Sequence, residues 1–380
     1  MVGGHEGQRM RVGYLSGGFL NTPSYYFIRP FLTNHDRTVA EVFLYNHGVA
    51  QDFSKSAIPK AAFGEHYAEV GHLTDDDLGA RLRADGLDVL VHMAGHFSYS
   101  GLRLLCERIA PVQISYPHFP ATTGCPGIDY VLTDVWTSPA GTDGEYSERL
   151  YRLPAGSLVY AAPEDGPSVA PPPRLTRPYC TFGIFQRLAK FNAPFLDAVA
   201  AVLARVPQSR LLIHNGDAEI DRPASATVRA LRQRFAARGI DPARLHLRGP
   251  LPYHEHLKMV GQVDVALDSF PYNGQTMTCE SMWMGVPVVT IGHGTHVSRV
   301  GGAILTRAGY PEWIARTTAE YVELASSLAS NLDRLVALRG RLRGDFVNGG
   351  LTDGQVLASA LERAYAVMLS RERTDDAQHR

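Results

Sequence analysis

Twice along this chain, short apolar runs alternate with stretches of helical period, and a proline-dense break separates the two series. That pattern constrains the fold more than any other feature. Strands that alternate with helices lie parallel in one sheet, because each return to the sheet needs a crossover, and the helices then cover both faces. In the first series, runs at 11–16, 40–45, 87–91, 112–115 and 130–133 read as strands. Residues 75–84 read as a helix with an acidic first turn, which the positive end of the helix dipole favours. The break at 161–178 contains Ala170-Pro-Pro-Pro173, and that density of proline forbids regular structure. In the second series, strands are expected at 180–184, 210–214, 244–248, 263–267 and 286–291. Helices are expected there at 194–206, 226–238, 300–308, 319–324 and 332–342. A last helix at 354–369 places Leu357, Leu361, Ala364, Tyr365 and Met368 on one face.

The expected architecture is therefore α/β, with two doubly wound, Rossmann-like domains. They occupy 11–165 and 179–350, with a proline-rich linker at 166–178 and an amphipathic C-terminal helix at 351–371. In such a protein the ligand is expected in a cleft between the domains, at the carboxyl ends of their strands. A length of 380 residues suffices for two cores. The charge is balanced, with 37 Lys and Arg against 38 Asp and Glu, so no bulk attraction to nucleic acid or an anionic membrane is expected. The four cysteines, Cys106, Cys125, Cys180 and Cys279, show neither CxxC nor zinc spacing and fit buried, inert thiols in a reducing cytoplasm. The first ten residues lack the apolar core of a signal peptide, and no apolar run approaches the ~20 residues that span a bilayer. A soluble, cytoplasmic protein is expected.

The most informative stretch runs from Asp268 to Thr290. A buried strand enters it, Asn273-Gly274 makes a turn, and Thr276 or Thr278 is positioned to cap the helix that follows. A helix start rich in small polar residues offers free backbone N–H groups and the positive end of the dipole, a site for a diphosphate. Glu280, one turn in, suits ribose hydroxyls. These features together read as a nucleoside diphosphate site formed by Asn273, Gly274, Gln275, Thr276, Met277 and Glu280.

Other groups support that reading. Phe185-Gln-Arg-Leu-Ala-Lys190 follows the first strand of the second series and places Gln186 and Lys190 at its carboxyl edge. Lys190 is one of four lysines in the chain, and a cation there stabilises a departing pyrophosphate. Gly249-Pro-Leu-Pro-Tyr-His-Glu-His256 can offer backbone groups near Leu251 to a pyrimidine edge and His256 to ribose or phosphate, while His254 reads as surface. In the first series, Val91-His-Met-Ala-Gly-His-Phe97 puts His96 past a strand end, where it can act as a base, and His92 reads as core. The loop Tyr116-Pro-His-Phe-Pro-Ala-Thr-Thr-Gly124 offers His118, Thr122 and Thr123 to an acceptor.

Taken in order, these residues resemble the catalytic region of the O-linked N-acetylglucosamine transferase family, including its bacterial members. The resemblance spans 11–369. It rests on Arg11-Val-Gly-Tyr-Leu-Ser16, on 87–96, on Ala110-Pro-Val-Gln113 with Thr122-Thr-Gly124 and Asp129-Tyr130, on Tyr146-Ser-Glu-Arg-Leu150 with Leu153-Pro154, on 273–287 and on Ser298-Arg-Val300. It implies the GT-B fold and a metal-independent, inverting glycosyltransferase that uses a UDP-sugar. It also implies that Lys190 binds phosphate, His256 the nucleotide, Thr276 the diphosphate and Glu280 the ribose. The chain departs from the family at several places. Thr22 stands where a histidine is usual, His118 and Ala121 replace glycines, and Gln275 and Met277 replace glycine or histidine and threonine. The family's tetratricopeptide repeats are absent from this sequence.

The sequence is thus read as a glycosyltransferase moving a hexose or N-acetylhexosamine from a UDP-sugar to a small-molecule or peptide acceptor. Lys190, His96 and His118 carry the chemistry, and Thr22, Thr122 and Thr123 line the acceptor side. No metal and no other cofactor is expected. Two other readings fit the same residues: a UDP-sugar epimerase or hydrolase of the same fold, and a non-catalytic sensor of nucleotide sugars.

Overall fold

A computed structural model of the protein describes residues 9–17, 19, 24–48, 66–97 and 100–378, with side chains to 374. Thr22 lies outside the described residues. The chain forms two compact units. One consists of Met1–Ala161 together with Thr352–Arg380, and the other is Ala162–Leu351.

The first unit holds a seven-stranded sheet made of β1 (Met10–Ser16), β2 (Ala40–Asn46), β3 (Tyr67–Glu69), β4 (Val89–His92), β5 (Val112–Ser115), β6 (Tyr130–Thr133) and β7 (Arg149–Arg152). The order is β3-β2-β1-β4-β5-β6-β7, and every pairing is parallel. β4, β5 and β6 are buried along their whole length, as strands covered on both faces must be. The edge strands β3 and β7 are short and half exposed, so they lack the apolar run that marks their neighbours. Among the described residues, two helices lie between strands of this sheet in the chain. Helix α1 (Tyr25–Leu32) has Pro30 inside it, which hides it from a reading by propensity. Helix α2 (Asp75–Ala84) starts where the Thr74 hydroxyl accepts from Asp77 N.

The second unit repeats the plan. Its strands are β8 (Cys180–Ile184), β9 (Ser209–His214), β10 (Leu245–Arg248), β11 (Val265–Leu267), β12 (Val288–Ile291) and β13 (Ile314–Ala315). They are parallel in the order β10-β9-β8-β11-β12-β13. The helices are α3 (Ala193–Arg205), α4 (Ala226–Ala236), α5 (Tyr253–Val260), α6 (Thr276–Trp283), α7 (His296–Arg307), α8 (Thr318–Ser330) and α9 (Leu332–Asn348). Asn192, Ser225, Thr317 and Asn331 cap α3, α4, α8 and α9 through their side chains. Residues 161–172 carry neither helix nor strand, and Pro173–Leu175 forms one 3-10 turn.

The last helix, α10 (Gly354–Gln378), belongs to the first unit. Leu357, Leu361, Ala364, Tyr365 and Met368 are buried in one cluster with Val12, Tyr14, Ile28 and Phe31. Burying a large apolar side chain contributes about 1.5–3 kcal/mol, so this face is enough to hold the helix down. A buried polar knot adds direction. His35 Nδ1 and Asp36 N both donate to Glu362 Oε1 at 2.8 Å, and the Tyr14 hydroxyl lies 2.7 Å from His35 Nε2 and 3.0 Å from the Tyr365 hydroxyl.

Candidate functional site

In the second unit the strand order reverses between β8 and β11. From β8 the chain continues to β9 on one side, and from β11 to β12 on the other. Loops leaving the carboxyl ends of this neighbouring pair diverge and leave a crevice, the place where open α/β sheets bind ligands. The two loops are Phe185 to Lys190 and Asp268 to Gln275, the segments singled out in the sequence.

The second loop is built around Asp268. Its carboxylate is fully buried and accepts from Gln186 Nε2 at 2.8 Å, Gly274 N at 2.6 Å and the Thr290 hydroxyl at 2.8 Å. Burial raises this carboxyl to about 6, against the pull of the Gly274 amide, the Thr290 hydroxyl and Lys190. Asn273 is also committed to the scaffold. Its Nδ2 donates to Ser269 O at 2.9 Å and Ile291 O at 3.1 Å, and its Oδ1 accepts from Gly301 N at 3.3 Å. Gly274 is required by space, since a Cβ there would lie 2.9 Å from Asp268 Oδ1 and 3.0 Å from Gln186 Nε2.

This fixed turn delivers α6, and the helix start differs from the sequence expectation. Neither threonine caps it. The N-cap is Gln275, which makes no side-chain cap bond, and the Thr278 hydroxyl donates backward to Gly274 O at 2.9 Å. The reason is register: Thr276 is already the first helical residue and Thr278 lies inside the first turn. The N–H groups of Thr276, Met277 and Thr278 therefore have no acceptor within the helix, and no acid sits in the first turn. An anion is the natural partner of such an end.

Lys190 ends the 3-10 turn Leu188–Lys190. Its Nζ donates to Asn273 O at 2.7 Å and lies 3.9 Å from the centre of the Tyr272 ring. A cation is thereby held at the turn that opens α6. Burial lowers the ammonium to about 8, with Asp268 acting against the fall, so it keeps its proton at neutral pH.

Glu280 follows Thr276 by four residues on α6, hence on the same face. It is 1% exposed. Its Oε1 accepts from the Tyr253 hydroxyl at 2.8 Å, and its Oε2 faces His256 Nε2 at 2.9 Å. His256 Nδ1 lies 2.9 Å from His214 Nε2, and His214 Nδ1 lies 3.1 Å from Arg248 O. A carbonyl only accepts, so His214 carries its hydrogen on Nδ1 and its Nε2 receives one from His256. Burial lowers the His214 pKa, in keeping with a neutral ring. Leu251 lies half-buried just before Pro252, the N-cap of α5, and His254 is exposed.

The first unit groups the other candidates. His96 follows β4, and its Nε2 donates to Thr123 O at 2.7 Å, which leaves Nδ1 as its acceptor atom. Its ring lies 5.3 Å from that of Phe119. Thr122 and Thr123 are bound to Glu148. The Thr122 hydroxyl donates to Oε2 at 2.8 Å, and Thr123 N donates to Oε1 at 2.7 Å, joined by the Thr123 hydroxyl. Burial alone would raise the Glu148 carboxyl, yet these hydroxyls and the amide outweigh it and lower the pKa. His118 Nε2 is buried without a hydrogen-bond partner, and burial lowers the ring to about 4.

The structure thus brings Gln186, Lys190, Asn273, Gly274, Gln275, Thr276 and Met277 around one helix start, with Glu280 and His256 one turn along. Sequence reasoning gave no part to Asp268, Tyr272, His214, Tyr253 or Glu148. Only for Asp268 was a signal present, an acid closing a buried strand just before the turn. Among the described residues, no three or more His, Cys, Asp or Glu stand close enough to hold a metal ion, and no helix is long and apolar enough to cross a membrane.

A model of glycosyl transferase family 41 matches residues 3–160 and 174–361. The "Probable UDP-N-acetylglucosamine–peptide N-acetylglucosaminyltransferase SPINDLY" of Hordeum vulgare is 34% identical over 372 residues, 95% of this chain and 38% of that protein. Its namesake in Petunia hybrida is 35% identical over 376 residues, 96% and 39% of the two chains. The chain thus spans about two-fifths of the length of these curated relatives. A solved mutant of the Thermobaculum terrenum O-GlcNAc transferase superposes with a TM-score of 0.90 at 33% identity, covering 97% of this chain and 69% of its own. An Anabaena protein solved with UDP and glucose shares the fold alone, with a TM-score of 0.56 at 12% identity, covering 94% of this chain and 100% of its own. The fold is GT-B, with two doubly wound Rossmann-like domains.

Proposed function

This chain belongs to glycosyl transferase family 41, and on that footing we propose that it transfers N-acetylglucosamine from UDP-N-acetylglucosamine to a hydroxyl of a peptide. The observation that supports this best is the uncapped start of α6 with the Lys190 ammonium 2.7 Å from Asn273 O at the same turn. The curated relatives' names supply the sugar and the peptide class.

In this reading the diphosphate accepts from the N–H groups of Thr276 and Met277, and Lys190 turns from Asn273 O to a phosphate oxygen. The ribose hydroxyls donate to Glu280, which His256 and Tyr253 hold in place. Backbone groups at Leu251 meet the uracil. Gln186, Asn273, Gly274 and Gln275 shape the turn. The acceptor oxygen forms its bond to the anomeric carbon as the bond from that carbon to the phosphate oxygen breaks, which inverts the centre. The electron pair leaves with UDP, and its charge meets Lys190 and the helix N–H groups, which cost no reorganisation because they are already aimed. The acceptor proton passes to a base. His96 Nδ1 is the better candidate, because a ring at about 4 makes His118 a weak base. Thr122 and Thr123, held by Glu148, present the acceptor. Since Lys190 and the helix amides meet the leaving charge, transfer is metal-independent, and EDTA leaves the rate unchanged. The four free cysteines support a cytoplasmic setting.

Titration calorimetry with UDP, followed by mass spectrometry of hydroxyl-bearing peptides incubated with UDP-N-acetylglucosamine, tests the reading. Heat with UDP and a peptide gaining one N-acetylhexosamine are expected. Absence of heat sinks the site, and sugar released equally well without peptide replaces transfer by hydrolysis or epimerisation.

A further inference from the structure

Cys106 and Cys125 have no part in the site described above, yet their sulfurs lie 3.1 Å apart. A disulfide spans ~2.05 Å, so the two thiols stand about 1 Å short of bonding distance. Their approach is built into the fold. Cys106 ends the 3-10 turn Leu102–Cys106, and Cys125 directly follows Thr122-Thr123-Gly124. The buried side chain of Gln113 ties the two segments together. Its Nε2 donates to Leu105 O and Glu107 O at 3.1 Å and to Gly127 O at 2.6 Å, and its Oε1 accepts from Ile109 N at 2.8 Å. Gly127 also packs so closely on the Leu105 carbonyl that no Cβ fits between them.

We propose that Cys106 and Cys125 form a redox modification site, joined reversibly by a hydroperoxide into a bridge that clamps the loop 116–124. Contrary to the expectation of four buried thiols, Cys106 is exposed, because it closes a surface 3-10 turn, while Cys125 is buried, so the oxidant meets Cys106 first. The Cys106 thiolate attacks the peroxide and the O–O bond breaks, leaving a sulfenic acid and, once protonated, one water. The Cys125 sulfur then attacks the Cys106 sulfur. The S–S bond forms, the S–O bond breaks, and the departing hydroxide takes the Cys125 proton and leaves as a second water. Two thiols and one hydrogen peroxide thus give one disulfide and two waters. Burial, with the Cys106 hydrogen bond adding, raises the Cys125 thiol to about 11, which protects it until an electrophilic sulfur stands beside it. The clamp follows from the local bonding. Cys125 N donates to the Thr123 hydroxyl at 3.2 Å, and Thr123 O holds His96. Fixing Cys125 to the 3-10 turn therefore restrains the loop at its carboxyl end.

The test treats the whole protein with hydrogen peroxide and maps its peptides after alkylation. A Cys106–Cys125 peptide pair lighter by two hydrogens is expected, reversed by dithiothreitol and absent from Cys106→Ser. In Cys125→Ser, dimedone should trap the sulfenic acid at Cys106. Amide exchange over 116–124 should slow several-fold in the oxidised protein. Four results overturn the proposal: Cys106 driven to sulfinic acid with Cys125 still free, a bridge to Cys180 or Cys279 instead, no reaction at all, or a bridge that leaves exchange over 116–124 unchanged. The readouts are mass and exchange, so they stand or fall independently of sugar transfer.

Discussion

Lys190 and Asp268 are shifted in opposite directions by the same burial, the ammonium down to about 8 and the carboxyl up to about 6. Between those values both are charged. In the proposed reaction the leaving phosphate meets the Lys190 ammonium, which loses its proton above about 8, so kcat/KM for the UDP-sugar should fall along an alkaline limb centred near 8. Lys190→Arg should move that limb upward, because a guanidinium stays charged; a limb that stays in place would assign it to another group. Lys190→Ala should lower kcat roughly 10²-fold, the usual cost of losing one group that meets transition-state charge, with a smaller loss of UDP affinity in calorimetry. Glu280→Ala should weaken UDP binding by ~1–3 kcal/mol. It should also lower the melting temperature, since it removes the carboxylate that the Tyr253 hydroxyl and His256 Nε2 both meet. The position of Lys190 at the turn before α6 was legible in the sequence, because a scarce lysine follows a buried strand. The work of Asp268 was not, since its partners Gln186, Gly274 and Thr290 come from three separate segments.

At the scale of elements, the start of α6 is held open by what lies beneath it. Gly274→Ala would press a methyl against Asp268 and Gln186, neither of which is free to move. A cost of about 1–3 kcal/mol in stability is expected, with weaker UDP binding, read by thermal melting and calorimetry on one sample. Central strands such as β4, β5 and β8 were legible because burial on both faces demands continuous apolar runs. The edge strands β3 and β7 face water, and β13 is only two residues long, so none leaves that mark. Helix α1 was hidden by Pro30. The apolar stripe of α10 was legible, but a stripe does not say which core it covers.

Across the whole molecule, burial lowers the pKa of His35, His92, His118, His214 and His246. Unfolded histidines titrate near ~6.5. Below that value the unfolded chain takes up protons that the folded rings refuse, so stability should drop as pH falls from about 6.5 toward 4. The raised carboxyls of Asp264 and Asp268 work the other way over part of the range, as two groups against five. Urea melts at intervals across that range check the sign, and a rise in stability on acidification would refute it. The position of α10 has a further consequence. The second unit is inserted in sequence between the two pieces of the first, and the core around Val12 and Tyr14 lacks Leu361, Tyr365 and Met368 until the whole second unit has been made. On the ribosome the usual order is therefore inverted: the half made later can finish first, while the half made first waits for its closing helix with its apolar surface open to chaperones.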